Sequence, residues 1–233
     1  MIKIIGIGGC GNNILEFFKQ QDFTNIENEY EFISVKNDSD IDSIEYKEDD
    51  KIFTISGFGG QTASKLTIDL TKSILDNNGQ VKNMIIFPFS IESTTKKATQ
   101  EIEELSSIHK NIEIFPNDAL SDENNQDKTM AELMQIYDSK IFNTITIKDK
   151  RQLYRSFIIS TKKDDKVYTA IVHFWSKSYK ITLVEPKCKM IDNSSIGYIA
   201  DHRFDFKNSD NKYIVDIEEI AINKINEYIN NIV

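Results

Sequence analysis

Cysteine is nearly absent from this chain: Cys10 and Cys188 stand 178 positions apart, with no CxxC pair and no His-rich companion. That argues against a disulfide scaffold or a cysteine-based zinc site and suits a reducing, cytoplasmic setting. Histidine is equally scarce, and His109, His173 and His202 fall at no ligand spacing, so no metal site is expected from these residue types. No apolar run approaches the ~18 residues of a membrane-spanning helix, and the N-terminus reads as a strand and turn rather than a secretory signal. Positive charge is short as well: 28 Lys and Arg are scattered among 37 Asp and Glu, a net charge of -9. Neutralising a nucleic-acid backbone needs clustered cations, so direct nucleic-acid binding is not expected. What remains, 39% hydrophobic and 28% charged over 233 residues, is the make-up of a folded soluble protein of one large or two modest domains.

Short apolar runs alternate with longer helical patterns up to about residue 145. "IKIIGI", "FISV", "KIFTIS", "VKNMIIFPF" and "NIEIF" read as strands, and residues 12–20, 61–77, 92–109 and 128–142 carry apolar positions three and four apart. The alternation predicts an α/β fold with a buried, Rossmann-like parallel sheet flanked by helices. After Lys150 the texture changes to three β-rich runs joined by the polar turns "KKDDK" and "SKS", too short for anything but antiparallel hairpins. The terminal stretch places Ile217, Ala221, Ile225, Tyr228, Ile229 and Ile232 on one face of a helix. Two domains are expected, residues 1–147 and a smaller β-rich α+β part over 148–233.

Two glycine clusters stand between a strand and a helix. "GIGGCG" satisfies GxGxxG through Gly6, Gly8 and Gly11. Such a turn aims backbone N–H groups and the positive helix end at one spot, where a phosphate approaches without a Cβ in its way. Alone the pattern also fits close strand-to-helix packing, a methyltransferase-like site, or a dinucleotide fold, for which Asp38 after "FISV" is near the place of a ribose-binding acid. The second cluster, "GFGGQTAS" at residues 57–64, is not required by a dinucleotide fold. Two such loops at the carboxyl edge of one parallel sheet can surround a polyphosphate from both sides.

"IKIIGIGGCGNNIL", "FISVKNDSDI", "GFGGQTAS", "PFSIE" before a helix, and "IEIFPNDAL" occur in the order of the tubulin and FtsZ superfamily, whose bacterial members carry a GGGGNN turn, a GGGTGTG loop, PFxFE and IPND. Over residues 2–145 the chain resembles that family. The resemblance implies a guanine-nucleotide site for GTP or GDP, with magnesium accompanying the triphosphate. Gly8, Gly9, Cys10 and Gly11 would face the phosphates and Asn13 the base. Cys10 stands where the family has glycine; its side chain fits if φ is negative, and an inert thiol is the expected reading. In the worn second loop Gly59, Gly60 and Thr62 are kept, and Thr62, Ala63 and Ser64 would wrap the outer phosphates, with Lys65 leaning in or clashing. Glu92 looks like the ribose-binding acid, Lys96 replaces an arginine one turn on, Asn117 resembles the asparagine of IPND, and Glu132 is the expected guanine-reading acid of the central helix. Each also has a structural reading: an exposed charge pair for Glu92 and Lys96, a cap or turn for Asn117.

Two departures bear on mechanism. A glycine-and-proline loop that the family has after the second strand is missing, with "SIEYKEDD" in its place. The acidic loop after the central helix, which in the family orients the attacking water in a neighbouring subunit's site, is reduced here to Asp149 in "FNTITIKDKRQLYR". The resemblance therefore implies a nucleotide-gated protein that self-assembles as a homo-oligomer or filament, or works with a related protein supplying the acids, with weak or absent hydrolysis of its own; no catalytic residue is assigned. A nucleotide-free interaction module of the same fold and an NAD-dependent oxidoreductase are the competing readings.

Overall fold

A computed structural model describes residues 1–21, 29–120, 127–146, 155–163, 166–175, 178–185, 189–195, 221–228 and 230. Strands β1 (Ile2–Ile7), β2 (Tyr30–Val35), β3 (Lys51–Gly57), β4 (Gln80–Phe87) and β5 (Ile112–Pro116) form one parallel sheet in the order β2-β1-β3-β4-β5. All six residues of β1, all but the ends of β3 and all but the first residue of β4 are buried, which is why these segments read as mainly apolar runs rather than alternations. Helices α1 (Gly8–Lys19) and α5 (Met130–Thr146) cover one face, where Ile14, Leu15 and Phe18 pack with Phe115, Tyr137 and Ile141. On the other face α3 (Ala63–Asp76) sets Leu66, Leu70 and Ile74 against Ile5, Ile7 and Ile52. Beside it α4 (Thr95–Ile108) packs Ala98, Ile102 and Leu105 on Ile85 and Ile114.

The expected α/β class is the one observed, with informative differences. Helix α1 begins at Gly8 rather than residue 12, because only Gly8 leaves the helical region, at φ 68°; the rest of the glycine turn is the helix's first turn. A short helix α2 (Asp38–Asp42) lacks any apolar period and is held by Asp40, whose carboxylate accepts from the amides of Lys36 at 2.6 Å and Asn37 at 3.1 Å. Helix α4 starts three residues later than its pattern, since residues 90–94 form a turn.

The C-terminal part is an antiparallel sheet of β6 (Arg155–Lys163), β7 (Lys166–Trp175), β8 (Ser178–Glu185) and β9 (Lys189–Ser195). The first three strands and their hairpins follow the sequence reading; β9 is an addition. Ile171 and Val184 of this sheet join the α4 and β5 core, and Ser156 and His173 form a buried pair 2.9 Å apart. Burial and the charges of Lys180 and Lys140 push the His173 imidazole down to about 3, so it stays neutral. Residues 221–228 are helical with Ala221 and Ile225 buried, as the apolar face predicts; Ile217, Ile229 and Ile232 lie outside the described residues.

Candidate functional site

Chain order places the site. From β1 the chain crosses to β2 on one side and then returns to β3 on the other, so the ends of β1 and β3 flank the switch point of the sheet, where ligands of open α/β folds bind. Both glycine turns stand there and they interlock. A Cβ on Gly8 would lie 2.8 Å from the Cβ of Ala63, and one on Gly57 would lie 3.0 Å from the Cβ of Cys10. Small residues at these positions let the first turns of α1 and α3 touch. Neither helix is capped by a side chain at its N-cap residue, Ile7 or Thr62, and neither has an acid in its first turn. Two sets of amide donors, with the positive ends of helices of 12 and 14 residues behind them, thus converge on one opening.

That opening is a cleft of about 790 Å³. Of the residues expected at the site, Gly8, Gly9, Cys10, Asn13, Gly60, Thr62, Ala63, Glu92 and Asn117 line it. Gly11 does not: it is buried where α1 crosses β3, and a Cβ there would meet the Ile55 carbonyl oxygen at 2.0 Å. Gly59 is buried too, and its amide already donates to Glu101 of α4 at 2.8 Å. Ser64 is buried within α3, and Lys96 is exposed on α4 outside the lining. Glu132 sits outside the cleft at the start of α5, where its carboxylate accepts from the amide and hydroxyl of Thr129 at 2.7 and 2.8 Å while its own amide donates back. This is a capping box, which also holds the Glu132 carboxyl below its usual range, and the Thr-x-x-Glu spacing was its sequence signal. Asp38 and Lys65, the ribose acid of the dinucleotide reading and the worn position of the second loop, pair with each other at 3.4 Å, outside the lining.

The structure adds residues that motif reading missed. Asn12 donates its amide nitrogen to the carbonyls of Gly8 at 2.7 Å and Val35 at 3.2 Å, tying the first turn to the end of β2. Two carbonyls on one side fix which end of the side chain is nitrogen, so Oδ1 is left with no hydrogen-bond partner; Oδ1 of Asn117 is in the same state. Both residues line the cleft, but these two oxygens are themselves buried against the protein. Lys36, Glu16, Ser34, Gln61 and the apolar Phe58, Ile86 and Pro88 complete the wall. Asp118 accepts from the Ser90 amide at 2.9 Å and hydroxyl at 3.2 Å, joining the turn after β4 to the turn after β5; burial holds its carboxyl above the ordinary range. Glu92 closes its own turn by accepting from the Phe89 amide at 2.9 Å.

Cys10 opens onto the cleft and has no positive φ, so a side chain fits where it stands. Desolvation and then the charge of Asp138 push its thiol up to about 11, leaving it protonated and unreactive at neutral pH. Asp138, on the face of α5 toward α1, is half-buried, and desolvation raises it to about 6. Among the described residues no cluster of three or more His, Cys, Asp or Glu could hold a metal ion, and no helix is long and apolar enough to cross a membrane. Asp149 lies outside the described residues.

No family model and no curated protein matches the chain. Among solved structures it is similar to an FtsZ dimer of M. jannaschii (15% identity, TM-score 0.48, 70% of this chain and 64% of that one). It is also similar to TubZ of Bacillus thuringiensis serovar israelensis in GDP-form protofilaments (14%, 0.47, 65% and 57%), and to a TubZ subunit of Bacteriophage PhiKZ (12%, 0.43, 65% and 62%). All three are of the tubulin/FtsZ superfamily that the motifs resemble. The likeness is one of fold. The chain spans less than two thirds of each of these chains, and at such scores the overlap carries nothing about substrate or assembly.

Proposed function

We propose that the chain binds a guanine nucleotide, GTP or GDP, in the cleft between its two glycine turns, and that the bound state controls self-association or the binding of a partner. The observation that carries this is the meeting of two uncapped helix N-termini at Gly8 and Ala63 on the switch point of a parallel sheet. Amides of Gly8, Gly9 and Cys10 on one side and of Gly60, Thr62 and Ala63 on the other suit a phosphate chain, and Lys36 brings a cation to the same wall. Asn13 and Asn117 suit the base and sugar, with Glu92 toward the ribose hydroxyls. On the central helix the Glu132 carboxylate is taken up by its capping box, and among the described residues no acid of that helix lines the cleft, so the guanine-reading role is given to none of them. Hydrolysis by the chain alone is weak or absent in this reading, since the acids that position water in the resembled family are reduced to Asp149.

One observation favours a nucleotide-free interaction module instead: in the second loop Gln61, Ala63 and Lys65 replace small residues of the resembled family, and Lys65 pairs with Asp38 outside the cleft lining. The two readings separate on titrating the full chain with labelled GTP, GDP, ATP and NADH. Micromolar binding selective for guanine supports the proposal, and no binding at millimolar nucleotide contradicts it. Asn13→Ala should lower the preference for GTP over ATP, whereas Glu132→Ala should leave it unchanged.

A further inference from the structure

The second glycine turn is not held by its own helix; it is held from outside, by β4 and α4. Its backbone is anchored at three successive residues. The Phe58 amide donates to the Ile86 carbonyl at 3.1 Å, the Gly59 amide donates to the Glu101 carboxylate at 2.8 Å, and the Lys97 ammonium donates to the Gly60 carbonyl. Lys97 and Glu101, one helical turn apart, also pair with each other at 3.5 Å, and the Glu101 side chain is only 14% exposed. Gly59 is held at φ 90° with its Cα facing Thr94, so the turn passes close over the start of α4.

A planar trans peptide points its carbonyl and the next residue's N–H to opposite sides. With the Gly60 carbonyl drawn to Lys97, which is not part of the cleft wall, the Gln61 N–H is turned the other way, and Gln61 lines the cleft. Among the described residues nothing stands within 4 Å of where a Cβ on Gly60 would be, and a glycine brings no side chain of its own to hold the peptide. Released, it is free to rotate and present a carbonyl oxygen to the cleft, which an anionic ligand would meet as repulsion. We infer that Lys97 and Glu101 are positioning residues that decide whether the second turn offers the phosphate chain a hydrogen-bond donor or an acceptor. They touch no ligand; they act through the Gly59 and Gly60 peptides. The inference rests on the nucleotide reading above and deepens it, by assigning the gain in affinity from added phosphates to this clamp.

The experiment compares GMP, GDP and GTP affinities of the full chain, wild type against Lys97→Met, Lys97→Arg, Glu101→Ala and Glu101→Gln, with melting of the nucleotide-free proteins alongside. In the wild type affinity should climb with each phosphate. Lys97→Met and Glu101→Ala should weaken GTP about tenfold and GMP by less than about twofold, with melting little changed, because one charge-assisted contact is removed from the phosphate side only. Lys97→Arg, which keeps a cation, and Glu101→Gln, which keeps an acceptor for the Gly59 amide, should restore most of the climb. Unchanged GTP binding in Lys97→Met and Glu101→Ala, or an equal loss for GMP and GTP, overturns the inference while leaving the nucleotide reading standing. A wild type that binds none of the three overturns both.

Discussion

Two glycine turns face the same cleft and are built in opposite ways. The first is self-contained: it is the opening turn of α1, its one unusual residue is Gly8, and Asn12 of the same helix locks it to β2. The second is a five-residue span between β3 and α3 whose shape depends on Lys97 and Glu101 of another helix and on Thr94 at its start. A turn that carries its own restraints shows them in a short motif. A turn restrained from elsewhere does not, which is why "GIGGCGNN" reads as a close family match and "GFGGQTAS" as a worn one.

Alanine substitutions at the glycines break the comparison most sharply. Gly11→Ala drives a methyl into the Ile55 carbonyl oxygen, backbone against backbone, and should cost more than about 4 kcal/mol. Gly8→Ala, with φ 68° and Ala63 at 2.8 Å, should cost about 2 to 3 kcal/mol, and Gly59→Ala, with φ 90° against Thr94, about 1 to 2 kcal/mol. Gly9→Ala and Gly60→Ala, where none of the described residues lies within 4 Å, should stay within about 0.5 kcal/mol. Urea denaturation orders the five. A Gly60→Ala as damaging as Gly8→Ala would show that the second turn is internally restrained after all.

Next in size is the tie of the first turn. Asn12→Ala leaves two carbonyls without their donor and should cost about 1 to 2 kcal/mol, whereas Asn13→Ala, exposed at the cleft rim, should cost little stability. Equal costs for the two would remove Asn12 from its role as the lock.

The smallest effect is electrostatic, at Asp138 of α5. Its carboxyl rises from 3.8 in the ordinary state to about 6 in the folded chain. The folded state therefore holds the extra proton between these values, and that stabilisation is present below the lower one and lost as pH rises through the upper. Asp138→Asn never ionises, so its stability relative to wild type should increase from pH 4 to 6 and level off above; half-exposure limits the gain to about 1 kcal/mol. A pH-independent difference would mean that the carboxyl is not desolvated.

Much of the parallel-sheet layer was legible because its strands are apolar on both faces and its helices keep a regular period; β1, β3 and α3 lie within a residue or two of their patterns. The short α2 was not, since five residues capped by Asp40 carry no period. Of the site, residues that line the cleft through their backbone or from a strand end were legible from motifs, Gly8, Gly9, Thr62 and Asn117 among them. Lys36, Asp118 and the Lys97 and Glu101 clamp were not, because their roles come from contacts across 28 to 42 residues or from the end of a strand whose pattern says nothing of charge. Glu132 shows the converse: an acid at the expected place on the central helix, committed to capping instead.

If both turns form one cradle, backbone amide resonances followed while GTP is added to the full chain should show it. Gly8, Gly9 and Cys10 should shift together with Gly60, Gln61, Thr62 and Ala63 along a single saturation curve with one Kd. Shifts confined to one turn, or two turns saturating at different concentrations, would contradict it.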